Sequence, residues 1–200
     1  MAENYKMGPC YVFVGDPTQS DGMVYLGGTR GDVTVNPGIN LSTGRTDQEG
    51  MTPLYDAVFN PGPQPVANVP LIDEEKEKLA AYMVNATKTT DSISFGTDIG
   101  KIDPANVPTL CLLPISETGE GTNGIDAPNA IWFPRAIASD VGQFTFNLPE
   151  GEDSFNPRDT QFTSLYAEED QGATSIPPDA RAGFIGKPTD YSLTWQLPSV

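Results

Sequence analysis

The stretch Met23–Phe59 reads MVYLGGTRGDVTVNPGINLSTGRTDQEGMTPLYDAVF, and its patterning decides the fold class. An apolar run from Met23 to Leu26 leads to the pair Gly27-Gly28, where a turn is expected. From Gly31 to Asn36 apolar and polar residues alternate, with Val33 and Val35 on one face and Asp32, Thr34 and Asn36 on the other. A period of two is the signature of a half-buried strand. A second extended segment starts at Ile39 and ends in Arg45-Thr46-Asp47. The stretch holds no His, no phosphate-cradling Gly-Lys-Ser and no Cys pair. It reads as architecture that can pair with a neighbour, without visible catalytic chemistry.

Strand patterns continue on both sides of it. Gly8 to Gly15 (GPCYVFVG) is a compact apolar run between glycines and is expected to be the first strand; Asp16 to Gly22 (DPTQSDG) is a turn-rich loop. Gly50 to Tyr55 is expected to turn into Ala57-Val58-Phe59, and Asn60 to Pro65 (NPGPQP) to form a turn or rigid link. Val66 to Leu71 alternates, and Pro70 predicts either the end of that strand or a sheet edge, since proline cannot donate to a ladder. Further strands are expected over Ser92–Thr97, Thr109–Ile115, Asn129–Ile137 (interrupted at Pro134), Gln143–Leu148, Thr160–Ala167 and Tyr191–Leu197. The unbroken apolar run Thr109–Ile115 suits a strand buried on both faces.

One helix is expected, from Asp73 to Val84 (DEEKEKLAAYMV). Asp73 can cap its N-terminus, Glu74 and Glu75 favour the positive end of its dipole, and Glu74 with Lys78 makes an i,i+4 pair worth about 0.2–0.5 kcal/mol. Leu79, Tyr82, Met83 and Ala86 fall at helical spacing, a stripe that more simply covers a sheet face or barrel mouth than holds a cofactor. About nine or ten strands with one helix predict a mainly β chain, an antiparallel β-sandwich or barrel with one flanking α-helix. The 20 glycines and 19 prolines favour short strands and long connections. The 200 residues are read as a single domain, 1–200, with long loops and no internal repeat.

Charge and composition narrow the function. Eleven basic against 27 acidic residues leave a formal charge of −16, so binding nucleic acid through a basic patch is excluded; a negatively lined channel would instead let DNA pass without holding it. The simpler reading of the acidity is solubility or a salty environment. Cys10 and Cys111 lie too far apart in sequence for a zinc or CxxC motif, and each sits in an apolar run, so both are expected as buried free thiols. Met1 to Cys10 lacks the apolar core of a signal peptide, and no window approaches the roughly 20 apolar residues of a membrane span.

The chain has no His, which removes the commonest general base and metal ligand and with them Ser-His-Asp and Cys-His catalysis within one chain. It has neither GxGxxG nor GxxxxGK[ST]. Gly119 to Gly124 sits among acids without a following helix, so it reads as a loop rather than a phosphate cradle. Glu150, Glu152 and Asp153 could offer oxygens to calcium, but their spacing is not that of an EF-hand; they and Glu168-Glu169-Asp170 read as solvated charge. The expectation is no enzyme, no catalytic residue, no cofactor and no metal.

Leu26 to Val35 (LGGTRGDVTV), followed by Gly50-Met51-Thr52-Pro53, Asp56-Ala57, Val66–Leu71 and the helix from Asp73, resembles the major tail tube proteins of long-tailed bacteriophages. Ile131 to Ala136 (IWFPRA) and the segment around Phe162 look like that family's second half, while the Pro-rich Gly172–Pro188 has no counterpart there. The resemblance implies a tail-tube-like β domain that self-associates into six-subunit rings. The rings stack into a tube through which viral DNA passes without specific binding. It also implies contacts with other tail proteins (tape measure, terminator and, in sheathed tails, sheath), no membrane partner, and residence in the virion tail after assembly in the bacterial cytoplasm. Loops Thr34–Asp47, Glu117–Pro128 and Gly172–Pro188 become candidates for ring-to-ring contacts, with Arg30, Arg45 and Arg135 offsetting acids between subunits. Rival readings are a phage head decoration or head–tail joining protein, a carbohydrate-binding β-sandwich using Trp132, Trp195 and Tyr191 as a stacking platform, and a small calcium-dependent hydrolase. For those aromatics, core packing is the simpler reading.

Overall fold

The computed structural model describes residues 5–38, 42–45, 55–59, 64–72, 82, 86–88, 93–95, 107–117, 126–140, 158–166 and 176–198. In chain order the first seven strands are β1 (Tyr5–Met7), β2 (Cys10–Gly15), β3 (Met23–Gly28), β4 (Val33–Asn36), β5 (Ser42–Arg45), β6 (Tyr55–Phe59) and β7 (Val66–Leu71). The others are β8 (Ala86–Lys88), β9 (Ile93–Phe95), β10 (Thr109–Pro114), β11 (Ile131–Phe133), β12 (Ala136–Asp140), β13 (Arg158–Ser164) and β14 (Phe184–Ile185). Two five-stranded sheets carry most of the described chain, one ordered β1-β4-β7-β13-β12 and the other β14-β11-β10-β2-β3. Every ladder in them is antiparallel. The chain is therefore mainly β, as its alternation predicts.

A shared core lies between the sheets. Val33 and Val35 of β4, Ala67, Val69 and Leu71 of β7, and Phe162 of β13 meet Cys10, Val12 and Val14 of β2 and Leu110 and Leu112 of β10. Each fully buried side chain of this size contributes about 1.5–3 kcal/mol through removal of apolar surface from water. A second cluster covers the far side of the second sheet, where Phe13, Cys111, Leu113 and Trp132 pack under Ile176, Ala180, Phe184, Leu193 and Trp195. β10 is thus buried on both faces, which is why its sequence is apolar without alternation.

Two of the corners that carry the chain between the sheets are tied by hydrogen bonds. At the first, β3 runs on into Thr29, which bridges Leu71 of β7. Ile72 N–H donates to Gly28 O, and Thr29 Oγ1 accepts from Cys10 N–H. At the second, Pro134-Arg135 separates β11 in one sheet from β12 in the other. It is pinned by Thr109 Oγ1–H donating to Pro134 O at 2.9 Å and by Leu165 N–H donating to Arg135 O.

Several expectations change. Gly27-Gly28 is no turn: β3 passes through both residues, and the bend comes after Thr29. Gly27 is needed instead for close approach, since φ is +143° and a Cβ there would lie 2.7 Å from Ile72 O. Pro70 marks no edge, because β7 is the central strand of its sheet. The carbonyl and the missing N–H of Pro70 point the same way, toward Arg30 (Arg30 N–H donates to Pro70 O), so the ladder to β13 loses nothing. Asn129–Ile137 is two strands in different sheets rather than one interrupted strand.

Tyr191–Leu197 keeps its strand-like alternation (Leu193 and Trp195 buried, Thr194 and Gln196 exposed) but joins no sheet. It follows a 3-10 helix over Pro188–Tyr191. Ala86, placed in the helical stripe, lies in β8. Of the expected helix only Tyr82 is described; it is helical and buried, its ring centroid 5.8 Å from that of Phe162. Gln143–Leu148, the acidic loop residues Glu150, Glu152 and Asp153, Glu168-Glu169-Asp170 and the loop Gly119–Gly124 lie outside the described residues.

Candidate assembly surface

The two main sheets differ in what covers them. The outward side of the second sheet is closed by residues 176–197, whereas the outward side of the first carries polar residues open to water. Strand periodicity builds that open face. Because Val33, Val35, Ala67, Val69, Leu71, Thr160, Phe162 and Ser164 point inward, Thr34, Asn68, Gln161 and Thr163 must point out. Antiparallel register then lines up Thr34, Asn68 and Gln161 on three adjacent strands.

The row is tied together by side chains. Gln161 Nε2 donates to Asn68 Oδ1 at 3.0 Å, Ser139 Oγ lies 3.2 Å from Gln161 Oε1, and Thr163 Oγ1 donates to Ser139 Oγ at 2.9 Å. A bulge between Ala138 and Asp140 brings Asp140 opposite Gln161 at the edge of the sheet. Asp159 pairs with Pro70, and Asp32, Asp140 and Asp159 are all exposed. The face is a strip of amides and hydroxyls, of which Asn68, Gln161, Ser139 and Thr163 are hydrogen-bonded to one another, flanked by the carboxylates of Asp32, Asp140 and Asp159. At the β1 side of the row Lys6 pairs with Thr34. Among the described residues no three His, Cys, Asp or Glu side chains gather as a metal site.

The residues expected at subunit contacts separate. Arg30 is exposed, Arg135 is buried within its own chain, and the side chain of Arg45 lies outside the described residues. Arg135 is therefore no surface counter-charge; its position at the second corner buries it. Among the ring-contact loops, Thr34–Asp47 contains the ends of β4 and all of β5 rather than loop alone. The described part of Gly172–Pro188 packs onto its own sheet through Ile176, Ala180, Ala182 and Phe184, leaving Pro178, Asp179 and Ile185 exposed. Of Glu117–Pro128, Glu117 and residues 126–128 are described, with Asp126 and Pro128 exposed.

Trp132 and Trp195 are buried, their ring centroids 5.2 Å apart, and the half-buried Tyr191 packs tilted against Phe184 with centroids 4.5 Å apart. They are core, not an exposed sugar platform. Both cysteines are buried free thiols. Burial pushes the Cys10 thiol up to about 12 and raises that of Cys111 well above the ordinary value, so neither is a ready nucleophile.

β5 and β6 pair with each other and, among the described residues, with no strand of either main sheet. The same holds for β8 and β9. Nothing in the sequence separates these ladders from the main-sheet strands, because alternation reports a half-buried face and not which strand lies alongside. No helix among the described residues is long and apolar enough to cross a membrane. No family model matches the chain, and searches of curated proteins and of solved structures return no match.

Proposed function

We propose that the chain is a structural subunit of a bacteriophage tail tube, self-associating into rings of six that stack around a channel for the viral genome. The observation that carries this reading is the β5–β6 ladder, inserted in sequence between two strands of the first sheet and, among the described residues, joined to neither sheet. A two-stranded hairpin is marginal by itself in water and gains stability when its polar backbone and one face find a partner. A neighbouring subunit supplies both.

In the same reading the two sheets form a sandwich flanked by one helix over Asp73–Val84, with Tyr82 its buried anchor against Phe162. The open face of the first sheet lines the channel. Its amides and hydroxyls are occupied with one another, and Asp32, Asp140 and Asp159 repel a passing phosphate backbone. The role is mechanical and needs no catalytic residue, cofactor or metal. Tape-measure and terminator proteins are its partners in the virion tail.

Negative-stain microscopy of the purified protein tests this. Rings or polymerised tubes are the expected result. A monodisperse monomer across salt and concentration would refute it, and a reconstructed tube with a neutral or basic inner wall would remove the channel assignment.

A further inference from the structure

Residues 187–198 form a strap in which a 3-10 helix over Pro188–Tyr191 leads into 193–197, a stretch with the burial pattern of a strand that pairs, among the described residues, with none. Leu193 and Trp195 are buried, Leu197 is half-buried, and Thr194 and Gln196 face solvent. The backbone bonds of this strap are local (Asp190 N–H to Lys187 O, Ser192 N–H to Thr189 O, Leu193 N–H to Pro188 O) with one exception. That exception is Gln196 N–H donating to Pro17 O at 2.9 Å. Among the described residues that is the one long-range backbone bond from the strap to the body; side chains do the rest.

Those side chains enter a bay on the second sheet. Trp195 packs against Trp132 and Phe184 at ring-centroid distances of 5.2 and 5.7 Å. The strap is bounded by Gly186, with φ +131°, and interrupted by Ser192, which at φ +60° is the one described non-glycine residue in the left-handed region. Both are positions where backbone direction changes sharply, so the strap is divided from β14 and from its own 3-10 helix by bends rather than by ladders. Inside the bay the buried Trp132 indole N–H has no acceptor among the described residues. The closed arrangement therefore leaves a buried donor unsatisfied, which lowers the cost of opening it.

We propose that the strap is an exchangeable element, and that the bay of one subunit accepts residues 187–198 of a second copy of this chain. The occupant follows from complementarity: the bay is already filled by this segment, and an identical strap makes the same contacts from a neighbouring subunit. Among the described residues, local opening breaks one long-range backbone bond, and it exposes Trp195 and Leu193, which another such bay covers equally well. The proposal rests on self-association but not on the tube form.

Two singly substituted chains, P17C and Q196C, are mixed at assembly concentration and oxidised. The native Cys10 and Cys111 are buried and stay out of the reaction. A disulfide between the two different chains is expected, and the doubly substituted P17C/Q196C chain, oxidised as a monomer, should assemble at least tenfold less until reduced. Pro17 is buried, so a second measurement avoids altering it. A photo-crosslinking residue at the exposed Gln196 of isotope-labelled chains, mixed with unlabelled ones, should attach to residues 16–22 of the unlabelled partner. Cross-links confined to single chains within assembled material would overturn the proposal. Interchain cross-links in dimers that never form rings would uphold it while removing the tube reading.

Discussion

Replacing Gly27 by alanine tests the first corner directly. At φ +143° an alanine occupies a backbone region that is essentially reserved for glycine, at a cost of about 1–3 kcal/mol. Its methyl would also stand 2.7 Å from Ile72 O, several tenths of an ångström inside ordinary contact, and the neighbour is backbone that Ile72 N–H ties to Gly28 O. Forcing atoms apart in a packed region typically costs a further 1–3 kcal/mol or so. The expected total, about 2–6 kcal/mol, lowers the melting temperature of a chain this size by roughly 4–24 °C. Urea unfolding followed by the fluorescence of the buried Trp132 and Trp195 measures it. Gly8→Ala is the control, because nothing lies within 4 Å of its Cβ, and Gly28→Ala is a second control, its nearest neighbour Cys10 O lying at an ordinary contact distance of 3.9 Å. If Gly27→Ala unfolds within about 0.5 kcal/mol of Gly8→Ala, Gly27 serves a free turn and the close-approach account is wrong.

Other consequences are as specific. Phe162→Ala empties a buried site beside Tyr82 and should cost about 3–5 kcal/mol in the same unfolding assay, whereas Gln161→Ala, one residue away on the open face, should cost less than about 1 kcal/mol. Stability should fall in alkali. Burial raises both thiols in the folded state, so the unfolded chain releases their protons first; the contribution is complete below pH 9 and declines between 9 and about 12 for Cys10. A C10A/C111A variant, though less stable at neutral pH, should show a flatter decline on thermal scans from pH 8 to 11. Reversing the open face with D32K, D140K and D159K should make assembled tubes retain DNA in a salt-sensitive way, measured by co-sedimentation; unchanged retention would show that this face does not meet DNA.

Periodicity determined much of this protein by itself. Val33 and Val35 against Thr34 and Asn36, or Ala67, Val69 and Leu71 against Asn68, report which side of a strand is wet, and that is a local property of the pleat. The unbroken run of β10 announces burial on two faces for the same reason, and the apolar settings of Cys10 and Cys111 announce closed thiols. What periodicity cannot carry is the identity of the neighbour. Whether Ile131–Phe133 and Ala136–Asp140 continue one strand or enter two sheets depends on where Pro108 and Pro65 lie to receive Ala136 N–H and Ser164 N–H.

The same limit explains the segment after Tyr191. Its alternation correctly marks Leu193 and Trp195 as buried, yet among the described residues it pairs with no strand. Gly27 is the converse case. Sequence shows only that a residue without a side chain sits there, and two adjacent glycines read most simply as a turn. The approach of Ile72 O, from more than forty residues away, turns the same glycines into a point of contact between sheets. Composition and period thus determined the class, the wet and dry faces and the state of the thiols, since these depend on each residue's affinity for water. Sheet order, the two corners, the covered and open faces and the strap were decided only in three dimensions, where segments distant in sequence compete for the same backbone bonds.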